Sequence, residues 1–521
     1  MVHCSYLSRI VTLAFLLGCF PLGQVCGQQD LSPISYSIKF PDLEKHKAEI
    51  TAIIPTDKSP SIELMMPIWS PGFYRVENYA NQVENFTAST SEGTRLNVEQ
   101  SRKNRWKIQT NGAPVVTISY LLHCNARFVT KNWVGDDYAV LNGPATFITL
   151  ADNKQRPHEV KFELPAKWKQ TMTGLTAHAD GTSHHYRAMD YDILADSPIV
   201  AGNLTVHDFA VEGSRHFLVA FGDVTHWDGE RAKVEIEKIV REHHRFWKQL
   251  PFQKYVFLFA LKQGGGGLEH LNSTYITVSP TSMRPGRENL SWLSLVCHEY
   301  FHAFNVKRLR PFELGPFDYE KEARTSGLWV AEGLTSYFGD LLVCRAGLSK
   351  QENYLGQLTG HINQLQNNPG RLEQTLAQAS TDVWTTSMSG VGGNNKTVSY
   401  YVKGPVVGFL LDAHIRKTTN GVKSLDDVMR LAYDRYSGSK GFTEDQFRET
   451  AEEIAGHDLK EWFRRALHTT EELDYAEALE WYGLQFTTPD PNKPNQKWKL
   501  APVDKPTTEQ MAHIKSWLGQ R

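Results

Sequence analysis

His298-Glu299-Tyr300-Phe301-His302, followed about thirty residues later by Glu332 in Leu328-Trp329-Val330-Ala331-Glu332-Gly333, is the stretch on which the reading of this chain turns. Two histidines four apart on a helix point the same way, so both imidazoles can reach one zinc ion. The glutamate between them sits beside the open coordination position, where it can take a proton from water. A third ligand from a second helix leaves that position free, as catalytic zinc requires. Asn289 or Ser291 can cap a helix beginning near Trp292, and Lys307, Arg308 and Arg310 crowd its end before Pro311. The expectation is a zinc hydrolase that cuts peptides, with one zinc per chain.

Chance alone produces H-E-x-x-H in roughly one chain in twenty of this composition. The context argues against chance. Val296, Cys297, Phe301 and Phe304 surround the histidines, and a buried helix does not carry two histidines and a glutamate without partners for them. Residues 326 to 347 read as a second apolar helix, with Thr335, Ser336 and Gly339 on the face beyond Glu332. That small, polar face can lie against a metal, which makes Glu332 the candidate third ligand. The bland alternative, an exposed glutamate, conflicts with its flanks Trp329, Val330 and Ala331.

At 521 residues the chain calls for two or three domains. A formal net charge of −2 with no basic block argues against nucleic acid as partner. Arg9, the apolar run Ile10 to Phe20, and Val25-Cys26-Gly27 before Gln28-Gln29-Asp30 read as an export signal over residues 1–29. Leu16-Leu17-Gly18-Cys19 also resembles a lipoprotein box, which would make Cys19 a lipid anchor; the two readings stay open. Either way the expectation is an exported protein of the bacterial periplasm or envelope. No later run is long and apolar enough to span a bilayer. Outside the leader only Cys124, Cys297 and Cys344 remain, an odd number that reads as core residues without a disulfide framework.

The pattern along the chain predicts a multidomain α+β protein. Alternating runs such as Tyr36 to Phe40, Ala48 to Ile54 and Val115 to Leu121 predict an all-β, sandwich-like domain over residues 30–209. Met66 to Tyr74, interrupted by Pro67 and Pro71, reads as a rigid aromatic loop that either packs on the next domain or enters the cleft. Residues 210–350 predict a thermolysin-like α/β catalytic core: strand Phe217 to Phe221, helix Asp228 to Leu250, strands Tyr255 to Leu261 and Ser273 to Val278, then the two metal helices. A helical domain over 351–486 follows, interrupted at Gly392-Gly393-Asn394-Asn395, and residues 487–521 read as a polar, loosely held tail.

Two further stretches bear on chemistry. The glycine run Gly264 to Gly267 lacks the Gly-Lys-Ser/Thr of a phosphate loop. It reads instead as backbone at Gly266 and Gly267 that a substrate approaches closely, with Glu269 at its end to hold a free N-terminal ammonium group. Tyr401, in Tyr401-Val402-Lys403-Gly404, could donate a hydrogen bond to the oxyanion of a hydrated amide, although spacing alone does not prove it and a tyrosine before a helix is usually a packed aromatic.

Together these stretches resemble the glycyl aminopeptidase family of zinc metallopeptidases, relatives of thermolysin. The resemblance runs through Trp69-Ser70-Pro71-Gly72-Phe73-Tyr74, Asp192-Ile193-Leu194-Ala195-Asp196-Ser197-Pro198, Gly266 to His270, the metal helix, Glu332-Gly333, Ser424 to Met429 and Gly441-Phe442-Thr443. It implies His298, His302 and Glu332 as zinc ligands and Glu299 as general base. It further implies Glu269 as anchor of the substrate's α-amino group and Tyr401 as stabiliser of the tetrahedral intermediate. It implies release of N-terminal glycine, with alanine tolerated. Members of that family commonly end in a PDZ domain, and the roughly 35 residues after Phe486 are too few for that fold. Two rival functions stay open: a zinc endopeptidase with the same centre, which would cut N-blocked peptides, and an exported binding protein on a dead peptidase scaffold.

Overall fold

The computed structural model describes residues 31–283, 289–386, 396–487 and 498–520, together with Met1. The leader with Cys19 and the Gly392–Asn395 interruption lie outside the described residues. Among the described residues no helix is long and apolar enough to cross a membrane.

Period-two alternation builds the N-terminal domain. In the strand Ile34–Asp42, Ile34, Tyr36, Ile38 and Phe40 face inward, and in Lys47–Pro55 Ala48, Ile50, Ala52 and Ile54 do the same. These strands pair with each other and extend into a seven-stranded sheet. A four-stranded sheet supplies the other half of the core through Ile62, Leu64, Trp106 and Ile108. A second four-stranded sheet, made of Gln170–Thr173, Ile199–Gly202, Tyr138–Leu141 and Trp133–Val134, turns toward the catalytic domain. Its Val140 and Val200 share a cluster with Val219, Phe221, Val256 and Leu258 of the catalytic sheet.

The catalytic sheet has five strands. Lys254–Leu261 lies at its centre, parallel to both neighbours, Ser214–Gly222 and Ser273–Val278. A strand covered on both faces must be apolar throughout, and Tyr-Val-Phe-Leu-Phe-Ala-Leu is. The sheet opens with the hairpin of Thr205–Val211 and Ser214–Gly222, so its first strand begins a few residues ahead of the division expected at 209/210. Gly266–Glu269 forms one edge, antiparallel to Ser273–Val278.

Two helix ends differ from expectation. The motif helix spans Leu290–Phe301, capped by the Asn289 side chain, and His302 already stands at its C-terminus. The basic residues expected in its last turn therefore lie in the loop beyond. The helix that carries Glu332 opens with a π turn, Trp329–Leu334, before the α-helix Thr335–Arg345; such wide turns often mark functional sites.

The tail is a correction. Beyond the undescribed 488–497, Lys499–Pro502 pairs with Leu484–Thr487, and a helix follows over Thr508–Trp517. Trp517 is fully buried, stacks on Tyr482 with centroids 4.3 Å apart, and donates its indole N–H to Tyr337 Oη at 2.8 Å. The stretch with Pro489, Pro491 and Pro494 lies outside the described residues, whereas the helix beyond it turns polar residues outward and carries the anchor on its inner face. Cys124, Cys297 and Cys344 are buried and free. Trp517→Ala should lower the unfolding free energy by about 3–5 kcal/mol, the usual cost of removing a buried tryptophan, measured by urea denaturation.

Candidate active site

The motif helix and the π turn bring three donor atoms together. His298 Nε2 and His302 Nε2 are 3.0 Å apart, and Glu332 Oε2 lies 3.6 and 3.2 Å from them. His302 Nδ1 is 2.8 Å from the Asn305 carbonyl, which can only accept, so Nδ1 carries the proton and Nε2 the lone pair. His298 Nδ1 lies 3.3 Å from the Ser336 hydroxyl, one helical turn beyond Glu332. Asn305 in turn donates to the Val330 carbonyl at 2.8 Å and to Thr335 Oγ1 at 3.0 Å, fastening the end of the motif helix to the π turn.

The small residues noted on this face have a purpose that a spacing argument could not reach. A Cβ at Gly339 would press on His298. Gly333 and Gly404 stand back to back, each placed so that a Cβ on one would overlap the Cα of the other. That contact lets the helix Tyr400–Thr418 approach the π turn backbone to backbone, with Tyr401 at its start. The Tyr401 ring lies 6.1 Å from the His298 ring, centroid to centroid. Burial first, and then the Glu332 carboxylate, hold its hydroxyl well above the usual phenol range, so it keeps its proton as a donor.

Glu299 and Glu269 complete the floor of a cleft of about 850 Å³ that also holds His298, His302, Glu332 and Tyr401. The glycine run permits this. Gly266 adopts φ 126°, a left-handed value that favours glycine, and a Cβ at Gly267 would overlap the Glu299 carboxylate. On the other side Gly72, at φ 91°, abuts the Glu269 carboxylate. The aromatic loop thus does both things expected of it. Trp69 and Tyr74 pack in the catalytic core while Gly72 and Phe73 line the cleft.

The electrostatics are lopsided. Glu269, Glu299 and Glu332 are all buried, and each keeps one carboxylate oxygen without a hydrogen-bond partner. Burial pushes Glu299 well above the carboxylate range and Glu269 up to about 7. Burial opposes charge on His302, yet Glu332, Glu269 and Glu299 outweigh it and, with no cation present, push His302 up to about 10, so that Nε2 then also holds a proton in the place an ion would take. Such a site is short of positive charge. Bonds of about 2 Å at tetrahedral angles put two donors on one ion roughly 3.3 Å apart, close to the separations found here. The residues fit a divalent cation at His298, His302 and Glu332.

Profiles of the M61 peptidases match residues 35–203, as the N-terminal domain, and 291–407, as M61 glycyl aminopeptidase. The chain belongs to the M61 peptidase family. An aminopeptidase N family protein of Idiomarina loihiensis, solved by crystallography, is 28% identical over 91% of this chain and 82% of its own, with a TM-score of 0.84. Native yeast LTA4 hydrolase is 14% identical over 88% of this chain and 71% of its own, at a TM-score of 0.49, too distant to bear on the chemistry. No curated protein matches.

One set of residues in this M61 peptidase escaped the sequence reading. Asp196 follows the short helix Tyr191–Ala195 of the N-terminal domain. It receives Lys307 Nζ at 2.7 Å, lies 3.1 Å from His270 Nδ1, and accepts the Leu271 N–H at 2.7 Å. Burial alone would raise its carboxyl, but Lys307 and His270 hold it below the usual range. The only signal was the Asp192–Pro198 motif itself, whose partners lie about 75 and 111 residues away. Asp196 clamps the end of the Glu269 strand and the loop after the motif helix to the N-terminal domain. Asp196→Asn leaves a buried Lys307 without its partner and should cost about 3–5 kcal/mol in urea unfolding. Removing Glu461 from its exposed pair with Arg464 should leave unfolding unchanged.

Proposed function

We propose that this M61 peptidase is a zinc aminopeptidase that releases small N-terminal residues, glycine and alanine, from peptides. The observation that carries the reading is the convergence of His298 Nε2, His302 Nε2 and a Glu332 oxygen beside two further buried carboxylates. His298, His302 and Glu332 would hold the ion. When bound, zinc supplies Lewis acidity toward water and the substrate carbonyl. Glu299, raised by burial and with Oε2 unpartnered, takes the water proton and delivers it to the leaving amine. Tyr401, which keeps its proton, donates a hydrogen bond to the oxyanion.

Glu269 supports exopeptidase action. Its strand Gly266–Glu269 is the outer strand of the sheet, so an extended peptide can pair along Gly266 and Gly267. Glu269 closes that edge with a buried carboxylate, which would hold the α-ammonium group and bring only the first peptide bond to Glu299. The leader read at residues 1–29 supports an exported enzyme.

Glu299→Gln should retain zinc, measured by metal analysis, and lose about 10²–10⁴-fold in kcat; near wild-type turnover in a zinc-loaded variant would sink the base assignment. A paired assay tests the anchor. Glycyl-anilide should be cleaved in a chelator-sensitive way and its N-acetylated form spared, with Glu269→Ala eroding that preference. Cleavage of the acetylated form by the wild type would mark an endopeptidase, and zinc binding without cleavage of either would mark a binding protein.

A further inference from the structure

The seven-stranded sheet of the N-terminal domain ends, on the side away from the Val83–Thr90 strand, in a hairpin that leaves as Thr176–Ala177 and returns as His185–Ala188. The returning strand pairs with His158–Glu163. This hairpin lays two imidazoles face to face: the His178 and His185 rings stack with centroids 3.9 Å apart. Asp180, in the turn between them, places one carboxylate oxygen 2.8 Å from His185 Nδ1 and the other 3.1 Å from His178 Nδ1. A carboxylate on Nδ1 is the usual outer partner of a metal-binding histidine, because it fixes the tautomer whose Nε2 carries the lone pair.

On the far side of the ring, His178 Nε2 lies 3.3 Å from Glu159 Oε1, near the roughly 3.3 Å that separates two donors on one tetrahedral ion. Glu159, His178 and His185 each offer an atom within 4.8 Å of the others'. Their side chains are 17, 18 and 13% exposed, sheltered enough to be held and open enough for water to complete a coordination shell. A metal-free arrangement competes: the Asp180 N–H lies 3.2 Å from His178 Nδ1, so a proton on Nε2 could join His178 to Glu159, with Arg187 3.7 Å from that carboxylate. A proton on Nε2 serves only the His178–Glu159 pair, whereas an ion would engage His185 as well; the contacts of both Nδ1 atoms with Asp180 suit either arrangement.

We propose that Glu159, His178 and His185 form a second metal site, separate from the catalytic cleft, for a borderline transition-metal ion such as zinc, nickel or copper. Imidazole with one carboxylate suits that class and not calcium or magnesium, which prefer oxygen donors alone. Its effect is to pin the hairpin to the neighbouring strand.

The test uses the full chain loaded with one equivalent of zinc and titrated with further zinc by calorimetry, with metal content read by elemental analysis. Wild type should take up a second equivalent in the micromolar range and gain thermal stability with it. His178→Ala, and the more conservative Glu159→Gln, should lose that equivalent while peptide cleavage is unchanged. His298→Ala should lose the first equivalent and keep the second, so failure of this site and failure of the catalytic reading give different results. A wild type that binds one zinc only, or a folded His178→Ala chain that still binds two, would overturn the proposal in favour of a proton-bridged pair.

Discussion

Three buried carboxyl groups facing two imidazoles set the problem that the rest of this structure answers. Glu269, Glu299 and Glu332 come from an edge strand, a helix and a π turn, and none would be tolerated as an isolated charge in an apolar interior. Removing water makes their mutual repulsion, and their attraction for a cation, far stronger than at a surface. A polar frame surrounds them. The Asn305 carbonyl orients His302, Ser336 lies beside His298, and the Asn305 amide binds the π turn. One oxygen on each carboxylate, Glu269 Oε1, Glu299 Oε2 and Glu332 Oε1, is left without a hydrogen-bond partner, as is Asn305 Oδ1.

Bringing those groups within reach of one another required backbone to approach side chain and backbone to approach backbone. Gly267 against Glu299, Gly72 against Glu269, and Gly333 against Gly404 are three separate contacts in which a single methyl group would push the elements apart. They recast dipeptides that look incidental, Glu332-Gly333 and Lys403-Gly404, as packing requirements. The contact between the two glycines sets Glu332, on the π turn, beside the helix that begins with Tyr401. A site of this kind is intolerant of side chains at positions that carry no chemistry.

The legibility of the chain follows the range of the interactions. The motif helix, its Asn289 cap and the alternating strands of the N-terminal domain are local patterns, readable because helix and strand periods are written in adjacent residues. The helix ending at His302 was misread because Lys307, Arg308 and Arg310 look like a basic last turn. They lie beyond the helix: Lys307 goes to Asp196, and Arg308 donates to the Ala303 carbonyl just past the helix end as well as to the Leu271 carbonyl and Asn272. The tail was misread because one buried face of a short helix is hidden in a polar composition. Nothing near Trp517 in the chain announces Tyr337, which lies 180 residues earlier.

The same distance argument explains why the N-terminal domain cannot be a mere appendage. Its two contributions, the Gly72 loop and Asp196, act on the Glu269 segment from two directions: one abuts the carboxylate, the other ties down the residues just after it. The edge strand alone is four residues long, paired on one side only and rich in glycine, so by itself it has too few contacts to hold a carboxylate in place. Docking the β domain supplies the missing rigidity, through Trp69 and Tyr74 in the catalytic core and the Asp196–Lys307 pair below it. The position of Glu269 is thus a property of the interface between two domains, and loosening that interface would disturb the Glu269 end of the cleft before it disturbed His298, His302 and Glu332, whose frame lies wholly within the catalytic domain.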